Sequence, residues 1–163
     1  MQPKWHLSHV QGYLGLGMVH EAAAEFELLP PAERDTTAAL TLHIALLQEK
    51  QDWPGVRDAS IELVRRVPEE AGGWITWAYA VRRAESLLAA EEVLRIAETK
   101  HPDEPTIQFN LGCYACQLGD LAEARRRVDR AIALDKNFRA LAGTDPDLAP
   151  LRAAGETDSP SNP

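Results

Sequence analysis

Small and apolar side chains recur along the chain in two alternating sets, and within each set they lie three or four residues apart. Trp74 and Ala78 belong to a first set, while Ala90, Leu94 and Ala97 belong to a second. Side chains with this spacing share one face of an α-helix. The pattern therefore predicts pairs of amphipathic helices, with the two helices of a pair separated by a short turn.

The same arrangement returns with a fixed period. Small residues recur at the eighth and twentieth positions of a frame, as Gly112 and Ala124 do, and they let two helix backbones approach closely. A long fixed period of this kind is the signature of a repeat architecture. The frames are 34 residues long and begin at Pro3, Thr37, Ala71 and Pro105.

The predicted helices end where the residue types favour a break. Gly119 suits the end of a helix, and Asp120 suits the cap of the next one. Pro102 ends the second helix of the third frame, because proline cannot continue the hydrogen-bond ladder. Pro30 and Pro31 shorten the second helix of the first frame in the same way.

Residues 74–102 and 109–135 resemble tetratricopeptide repeats, which are helix-turn-helix units of this length. The resemblance implies an all-α fold, an α-solenoid of about four repeats with a C-terminal capping helix. The first frame departs most from the pattern, with His6 at a normally bulky position, and the second has Ser60 at another. The predicted repeats are residues 3–36, 37–70, 71–104 and 105–138.

A C-terminal cap follows the repeats, because the last helix pair otherwise exposes an apolar face. We expect the cap over residues 139–153 and a disordered, polar tail over residues 154–163. Asp145 followed by Pro146 is typical of a helix start. The side chains expected to cover the last repeat are Phe138, Leu141, Leu148 and Leu151.

The resemblance also implies a binding surface, because the first helices of such repeats line a concave face. The residues at its peptide-contacting positions are Leu7, Gln11, Thr41, Ala45, Ile75, Tyr79, Arg82, Arg83, Phe109, Asn110 and Cys113, with Ser8, Ala38 and Leu42 at further positions of the same face.

Chemistry at the C-terminal end of that face favours an acidic ligand. Arg82 and Arg83, beside Tyr79 and Asn110, are suited to grip a carboxylate, and Phe109 is suited to anchor an apolar side chain. The alternative is that both arginines form a solvated helix end.

One binding mode of the family is excluded by the residues at its positions. The carboxylate clamp of chaperone-binding members needs lysine, arginine and asparagine there. This sequence has uncharged residues instead, such as Leu7, Leu42 and Thr76.

A second candidate surface is a basic cluster on the second helix of the fourth frame, formed by Arg125, Arg126, Arg127 and Arg130. The family places such helices on the convex side, so the cluster predicts a docking patch for an acidic protein. The alternative is a solvated face whose arginines pair with Glu123, Asp129 and Asp135.

Composition narrows the class of partner. The chain has 163 residues, 17 basic and 25 acidic, for a net charge of −8, which argues against general binding to nucleic acid or anionic membranes. It has no long uncharged apolar stretch, no basic N-terminal region preceding an apolar run, and only two cysteines. We expect a soluble, cytoplasmic protein.

Few residues suggest chemistry. Cys113 and Cys116 form a CxxC motif inside a helix, away from the N-terminus where such thiols react, and a metal site there needs about two further ligands. His6 and His9 share a helix face but lack a third ligand nearby in the sequence. No catalytic or nucleotide-binding motif occurs. We expect a non-enzymatic protein without metal or cofactor.

The function indicated is that of a protein-interaction adaptor or scaffold, monomeric or weakly dimeric. Its partner is a protein or peptide with an acidic segment. The array also resembles the bacterial proteins called kinesin light chains, which suggests a cytoskeletal partner such as a bacterial tubulin-like filament. The alternatives are a small client or secretion chaperone and a cysteine-based metal or redox protein.

Overall fold

The computed structural model describes residues 4–157, and within this range it contains α-helices, one 3-10 helix and no strand. The all-α prediction is confirmed. No helix in the described range is long and apolar enough to span a bilayer. The helices are α1 (Lys4–Gly15), α2 (Val19–Glu27), α3 (Pro31–Arg34), α4 (Thr37–Glu49), α5 (Trp53–Arg66), α6 (Ala71–Ala84), α7 (Leu87–Lys100), α8 (Pro105–Gln117), α9 (Leu121–Leu134), α10 (Phe138–Thr144), the 3-10 helix (Pro146–Leu148) and α11 (Ala149–Thr157).

The chain divides into two compact units, Met1–Ser86 and Leu87–Pro163. The first contains α1 to α6, and the second contains α7 to α11. The boundary lies between α6 and α7, inside the predicted third frame.

Similar turns join several helices. A positive φ is adopted by Gly17 after α1, Gln51 after α4 and Gly119 after α8. The three φ values are 73°, 56° and 89°. This left-handed conformation ends a helix by satisfying its last carbonyls. Asp52 and Asp120 then cap the following helices, each carboxylate accepting a hydrogen bond from a backbone N–H three residues on.

Apolar side chains between the helices form the core of the first unit. Val10 on α1 and Ala22 on α2 are fully buried, and their cluster also contains Phe26, Leu29, Ala39 and Leu46. A second cluster joins α4, α5 and α6 through Ile44, Val56, Leu63 and Ala80.

Helix α8 is the centre of the second unit. Its residues from Ile107 to Cys116 are nearly all buried, because α7, α9 and the C-terminal segment surround it. At Gly112 the backbone of α8 lies so close to α9 that an added Cβ would lie 2.9 Å from Val128 Cγ2 and 3.2 Å from the Ala124 carbonyl oxygen. Glycine is therefore required at this crossing.

The C-terminal cap differs from its prediction in one respect. Leu148 and Leu151 are buried as expected, and the Phe138 ring lies 5.1 Å from that of Phe109. Leu141, however, remains 50% exposed, because the covering side chains come mainly from the 3-10 helix and α11.

The predicted tail was partly wrong. Helix α11 extends to Thr157, so residues 154–157 are helical where disorder was expected. Ala154 and Glu156 are strong helix formers, whereas Gly155 and Thr157 are not. Residues 158–163 lie outside the described range.

Replacing Gly112 by alanine is expected to lower the free energy of unfolding by about 1–3 kcal/mol, because the new methyl group overpacks the α8–α9 crossing. Gly72→Ala in α6 is the matched control. A Cβ at Gly72 meets no atom within 4 Å, so alanine there should raise stability by up to about 1 kcal/mol. Urea denaturation of both variants makes the measurement, and similar effects at the two sites would contradict the packing argument.

Candidate functional site

A cleft of about 320 Å³ lies between α1 and α4 in the first unit. The side chains that line the cleft all belong to the predicted binding face, and three come from each of the first two frames. They are Leu7, Ser8, Gln11, Ala38, Thr41 and Leu42.

The cleft lining combines an apolar base with a polar rim. Leu7 and Leu42 are half-buried and pack against the core cluster of the first unit, so their positions are fixed by that core. Ser8, Gln11 and Thr41 are exposed. The Thr41 hydroxyl donates to the Thr37 carbonyl oxygen at 3.0 Å and keeps its own oxygen available as an acceptor.

Two other predicted contact residues of this unit lie outside the cleft. Ala45 and Ile75 are half-buried and are not among the residues that line it. The cleft therefore covers a smaller part of this face than the predicted binding surface, which extended along α4 and α6.

Arg83 and Tyr79 lie together on α6, as their spacing predicts. The Arg83 guanidinium donates to the Tyr79 hydroxyl at 2.7 Å, and its carbon lies 4.9 Å from the centre of the Trp53 ring and 5.1 Å from that of Tyr79. These are cation–π distances. The sequence did not indicate the contact between Trp53 and Arg83, since the two residues lie on different helices. Arg82, the neighbouring cation, is half-buried.

In the second unit, two predicted contact residues are not on the surface. Phe109 is 4% exposed and Cys113 is 3% exposed, so the prediction that they contact a bound peptide was wrong. The C-terminal segment packs against this side of α8 and covers them. Asn110, between them, remains half-buried.

The basic cluster on α9 is mostly engaged in ion pairs. Arg127 is 4% exposed and therefore cannot belong to a docking patch. Its guanidinium pairs with Glu98 of α7 and with Glu123 of α9, and it donates to Gln108 Oε1 of α8 at 2.8 Å. One buried cation thus connects three helices, because each of its hydrogen bonds needs a partner in the interior.

The outer arginines of the cluster are paired as well. Arg126 contacts Glu123 at 2.7 Å, and Arg130 contacts Asp103 at 2.7 Å. Arg125 is exposed and lines a shallow cleft of about 200 Å³ with Leu148 and Leu151 of the C-terminal segment. The alternative interpretation of the cluster, as ion pairs on the helix surface, describes most of its members.

These pairs hold acidic side chains in their charged form. Hydrogen bonds from Arg126 and Arg127 outweigh the effect of burial and lower the pKa of Glu123 from its ordinary 4.5 to about 2. Burial alone would raise the pKa of Glu98, but hydrogen bonds from Arg127 and Gln108 lower it overall.

Cys113 has acidic neighbours that the sequence did not indicate. Its Sγ and carboxylate oxygens of Asp145 and Asp147 all lie within 4.8 Å of one another. The sequence did not indicate the two aspartates, because they lie about 30 residues away in the chain. The Asp145 carboxylate already accepts a hydrogen bond from the Asp147 N–H at 2.9 Å, as the cap of the 3-10 helix.

His6 and His9 also have a neighbour that was not expected. The Glu25 carboxylate on α2 accepts from both imidazoles, although it lies 19 and 16 positions from them in the chain. The turn at Gly17 folds α2 back along α1 and brings a residue 19 positions away to His6.

Comparisons with known proteins identify the fold. No family model matches the chain, and no curated protein matches it significantly. Among solved structures, TTC0263, a thermophilic TPR protein of Thermus thermophilus, is similar with a TM-score of 0.71 at 21% identity, over 94% of this chain and 83% of that one.

Two further structures are similar. The TPR2B domain of yeast Sti1 in complex with pHsp70 has a TM-score of 0.61 at 21% identity, over 74% of this chain and 97% of that one. MamA MSR-1 C2 has a TM-score of 0.61 at 17% identity, over 98% of both chains. The chain therefore has the fold of tetratricopeptide-repeat (TPR) proteins.

Replacing Arg127 by methionine is expected to lower the free energy of unfolding by about 1–3 kcal/mol, because Glu98 and Gln108 Oε1 lose the guanidinium that donates to them, while Glu123 keeps Arg126. Arg125→Met on the same helix is the matched control. Its side chain is exposed, so its effect should stay within about 0.5 kcal/mol. Chemical denaturation compares them, and equal stability of the two variants would exclude a structural role for the buried pair.

The lowered pKa of Glu123 predicts a pH-dependent contribution. A carboxylate whose pKa falls on folding stabilises the protein above its unfolded pKa, and the contribution is lost as pH falls from about 4.5 towards 2. The destabilisation caused by Glu123→Gln should therefore be largest at neutral pH and shrink through this window. Chemical denaturation of the wild type and of Glu123→Gln between about pH 7 and pH 2 tests this prediction. A difference in unfolding free energy that stays constant with pH would contradict the lowered pKa of Glu123.

Proposed function

We propose that this chain is a non-enzymatic protein-interaction scaffold that binds a segment of a partner protein in the cleft between α1 and α4. The observation that carries the proposal is that six residues of the predicted binding face, three from each of two neighbouring frames, line one open cleft. No bond needs to be made or broken for this function; the fold presents a surface whose shape is set by the core beneath it.

The size and the lining of the cleft suit a peptide. Its volume of about 320 Å³ lies at the lower end of the range for ligand pockets and accommodates one or two side chains of an extended segment. Leu7, Ala38 and Leu42 offer an apolar base, while Gln11 and Thr41 offer groups that can hydrogen-bond a peptide backbone.

The side chains that line the cleft indicate the chemical character of the partner segment. No charged side chain is among the described residues that line the cleft, so the side chain that enters it is apolar. An acidic stretch of the partner contacting Arg82 and Arg83 has weaker support, because the Arg83 cation already contacts Tyr79 and Trp53. The primary determinant we propose is therefore apolar.

Proteins of this fold are found in complexes. The TPR2B domain of Sti1 was solved with pHsp70, which supports a protein or peptide as the class of ligand. The two cysteines are free and buried, which fits a reducing, cytoplasmic compartment and gives a redox function little support.

Docking to a tubulin-like filament through the α9 arginines has less support. Arg126, Arg127 and Arg130 are each paired with carboxylates of this chain. Binding an acidic filament there would require the partner to compete with these internal acids. A filament partner that uses the α1–α4 cleft remains compatible with the proposal.

Random-peptide display against the full-length protein tests the proposed cleft. We expect selected peptides to share an apolar residue and to bind Thr41→Glu at least about tenfold more weakly than the wild type, because the new carboxylate must lose water in the cleft. Fluorescence anisotropy with the selected peptides provides the measurement.

Thr99→Glu is the matched control. Thr99 is an exposed helical threonine whose hydroxyl, like that of Thr41, donates to a carbonyl of its own helix. The affinity of the Thr99→Glu variant for the selected peptides should stay within about twofold of the wild-type value. Selected peptides that bind both variants equally well, or a selection that enriches no peptide, would refute the cleft as the binding site.

A further inference from the structure

We propose that a cleft in the second unit binds a small organic acid, in which an apolar group carries one carboxylate. The cleft lies between α9 and the C-terminal segment and has a volume of about 200 Å³. We call it the cap cleft; Leu148 and Leu151 lie at its base, and Arg125 and Arg152 are its cations. The cleft proposed for the peptide lies in the first unit, so the cap cleft is independent of the proposed function.

The base of the cap cleft is apolar and held in place. Val128 of α9 is 5% exposed, Leu148 is fully buried and Leu151 is 8% exposed, so packing inside the second unit fixes these side chains. Ala142 of α10 also lines the cleft, and its small side chain leaves the space open. A polar group that entered here would lose water without gaining hydrogen bonds from these side chains. The part of the ligand that occupies the base is therefore apolar.

Arg125 supplies a cation that is not already paired. The other arginines of α9, which are Arg126, Arg127 and Arg130, each form an ion pair with a carboxylate of this chain. Among residues 4–157, the Arg125 side chain has neither an ion pair nor a hydrogen bond. A Cβ added at Gly155 would lie 3.5 Å from Arg125 Nη2, so the guanidinium reaches from α9 to α11. Its donors are available to a ligand in the cleft.

Arg152 adds a second positive charge whose position is fixed. Its Nη1 donates to the carbonyl oxygens of Ala142 at 3.0 Å and Asp145 at 2.8 Å. Both acceptors are uncharged, so they orient the guanidinium without neutralising it. Asp129, an exposed side chain, is the one acid among the described residues that line the cleft. Two cations and one acid give the lining a net positive charge, although the whole chain carries −8, and this favours an anionic ligand.

The volume sets the size of the ligand. A water molecule in the liquid occupies about 30 Å³, so a cleft of about 200 Å³ holds roughly seven non-hydrogen atoms of that size. An inorganic anion would leave the apolar base unused. Isocaproate, a branched aliphatic acid, matches the volume and the chemistry of the cleft. Its methyl groups can contact Leu148 and Leu151 while its carboxylate accepts hydrogen bonds from Arg125.

NMR titration of the isotope-labelled full chain with isocaproate at neutral pH tests the site. We expect saturable shifts of the backbone amide signals of Leu148 and Leu151, with a Kd of about 1 mM for a ligand of about eight non-hydrogen atoms. Two related compounds are the matched controls for the ligand. Acetate lacks the apolar group and isocaproamide lacks the charge, so each should bind at least about tenfold more weakly.

Replacing the unpaired cation tests its role. Arg125→Met should weaken the binding of isocaproate at least about tenfold, because the carboxylate loses its charged donor. Arg126→Met is the matched control, since Arg126 is the neighbouring exposed arginine, pairs with Glu123 and is not part of the lining. The affinity of Arg126→Met for isocaproate should stay within about twofold of the wild-type value, because solvent screens an exposed charge outside the cleft.

Filling the cleft tests the cavity itself. Ala142→Phe places a ring in the space and should abolish the binding of isocaproate. Ala140→Phe is the matched control, because Ala140 is an exposed residue of α10 that does not line the cleft, and this variant should bind as the wild type does. The Arg125→Met measurement concerns an exposed side chain, so it does not depend on whether Ala142→Phe folds.

Several results would overturn the proposal. They are the absence of saturable shifts with isocaproate, equal affinity for isocaproate and isocaproamide, and unchanged affinity in Arg125→Met. An equal loss of affinity in Arg125→Met and Arg126→Met would indicate general attraction to basic residues and would also refute the site. Shifts at Leu7 and Leu42 in place of Leu148 and Leu151 would place the acid in the cleft of the first unit, which contradicts this proposal and leaves the proposed function standing.

Discussion

The close approach of paired helices is the constraint on which the rest of this structure depends. Ala22, Ala39 and Ala124 are fully buried, and Gly112 allows the backbone of α8 to lie against α9. Side chains this small let the helix backbones come together, so dispersion contacts are made along the whole length of a pair. The positions of all larger side chains follow from these crossings.

The close approach of paired helices has different consequences in the two units. In the first, α1 and α4 lie near enough to form a cleft, and Leu7 and Leu42 form its base. In the second, α8 is covered along most of its length, so Phe109 and Cys113 serve packing. Equivalent positions of one repeat pattern thus have different roles, depending on whether a further segment packs against them.

Sequence periodicity predicted the helices well because it reports a local property. Spacings of three and four residues determine which face of a helix is apolar, and Gly119 and Asp120 mark a turn whatever lies elsewhere in the chain. The cleft residues Leu7, Gln11 and Thr41 were expected from the resemblance to tetratricopeptide repeats, which places the first helices along one face, and periodicity alone did not indicate them. The helical continuation to Thr157 was missed because residues 154–157 are mostly polar and include a glycine, a composition that favours a tail.

Long-range pairing is what the sequence could not reveal, and it decides the roles of the charged residues. Arg127 looked like one member of a basic surface, yet its partner Glu98 lies 29 positions earlier on another helix. Glu25 likewise meets His6 across 19 residues. A charged side chain enters a protein interior only when an opposite charge pairs with it. A residue in such a pair is therefore not available to bind another protein. The net charge of −8 therefore says little about binding here, because many charges are paired internally and the cleft proposed for the partner has no charged residue among its described lining.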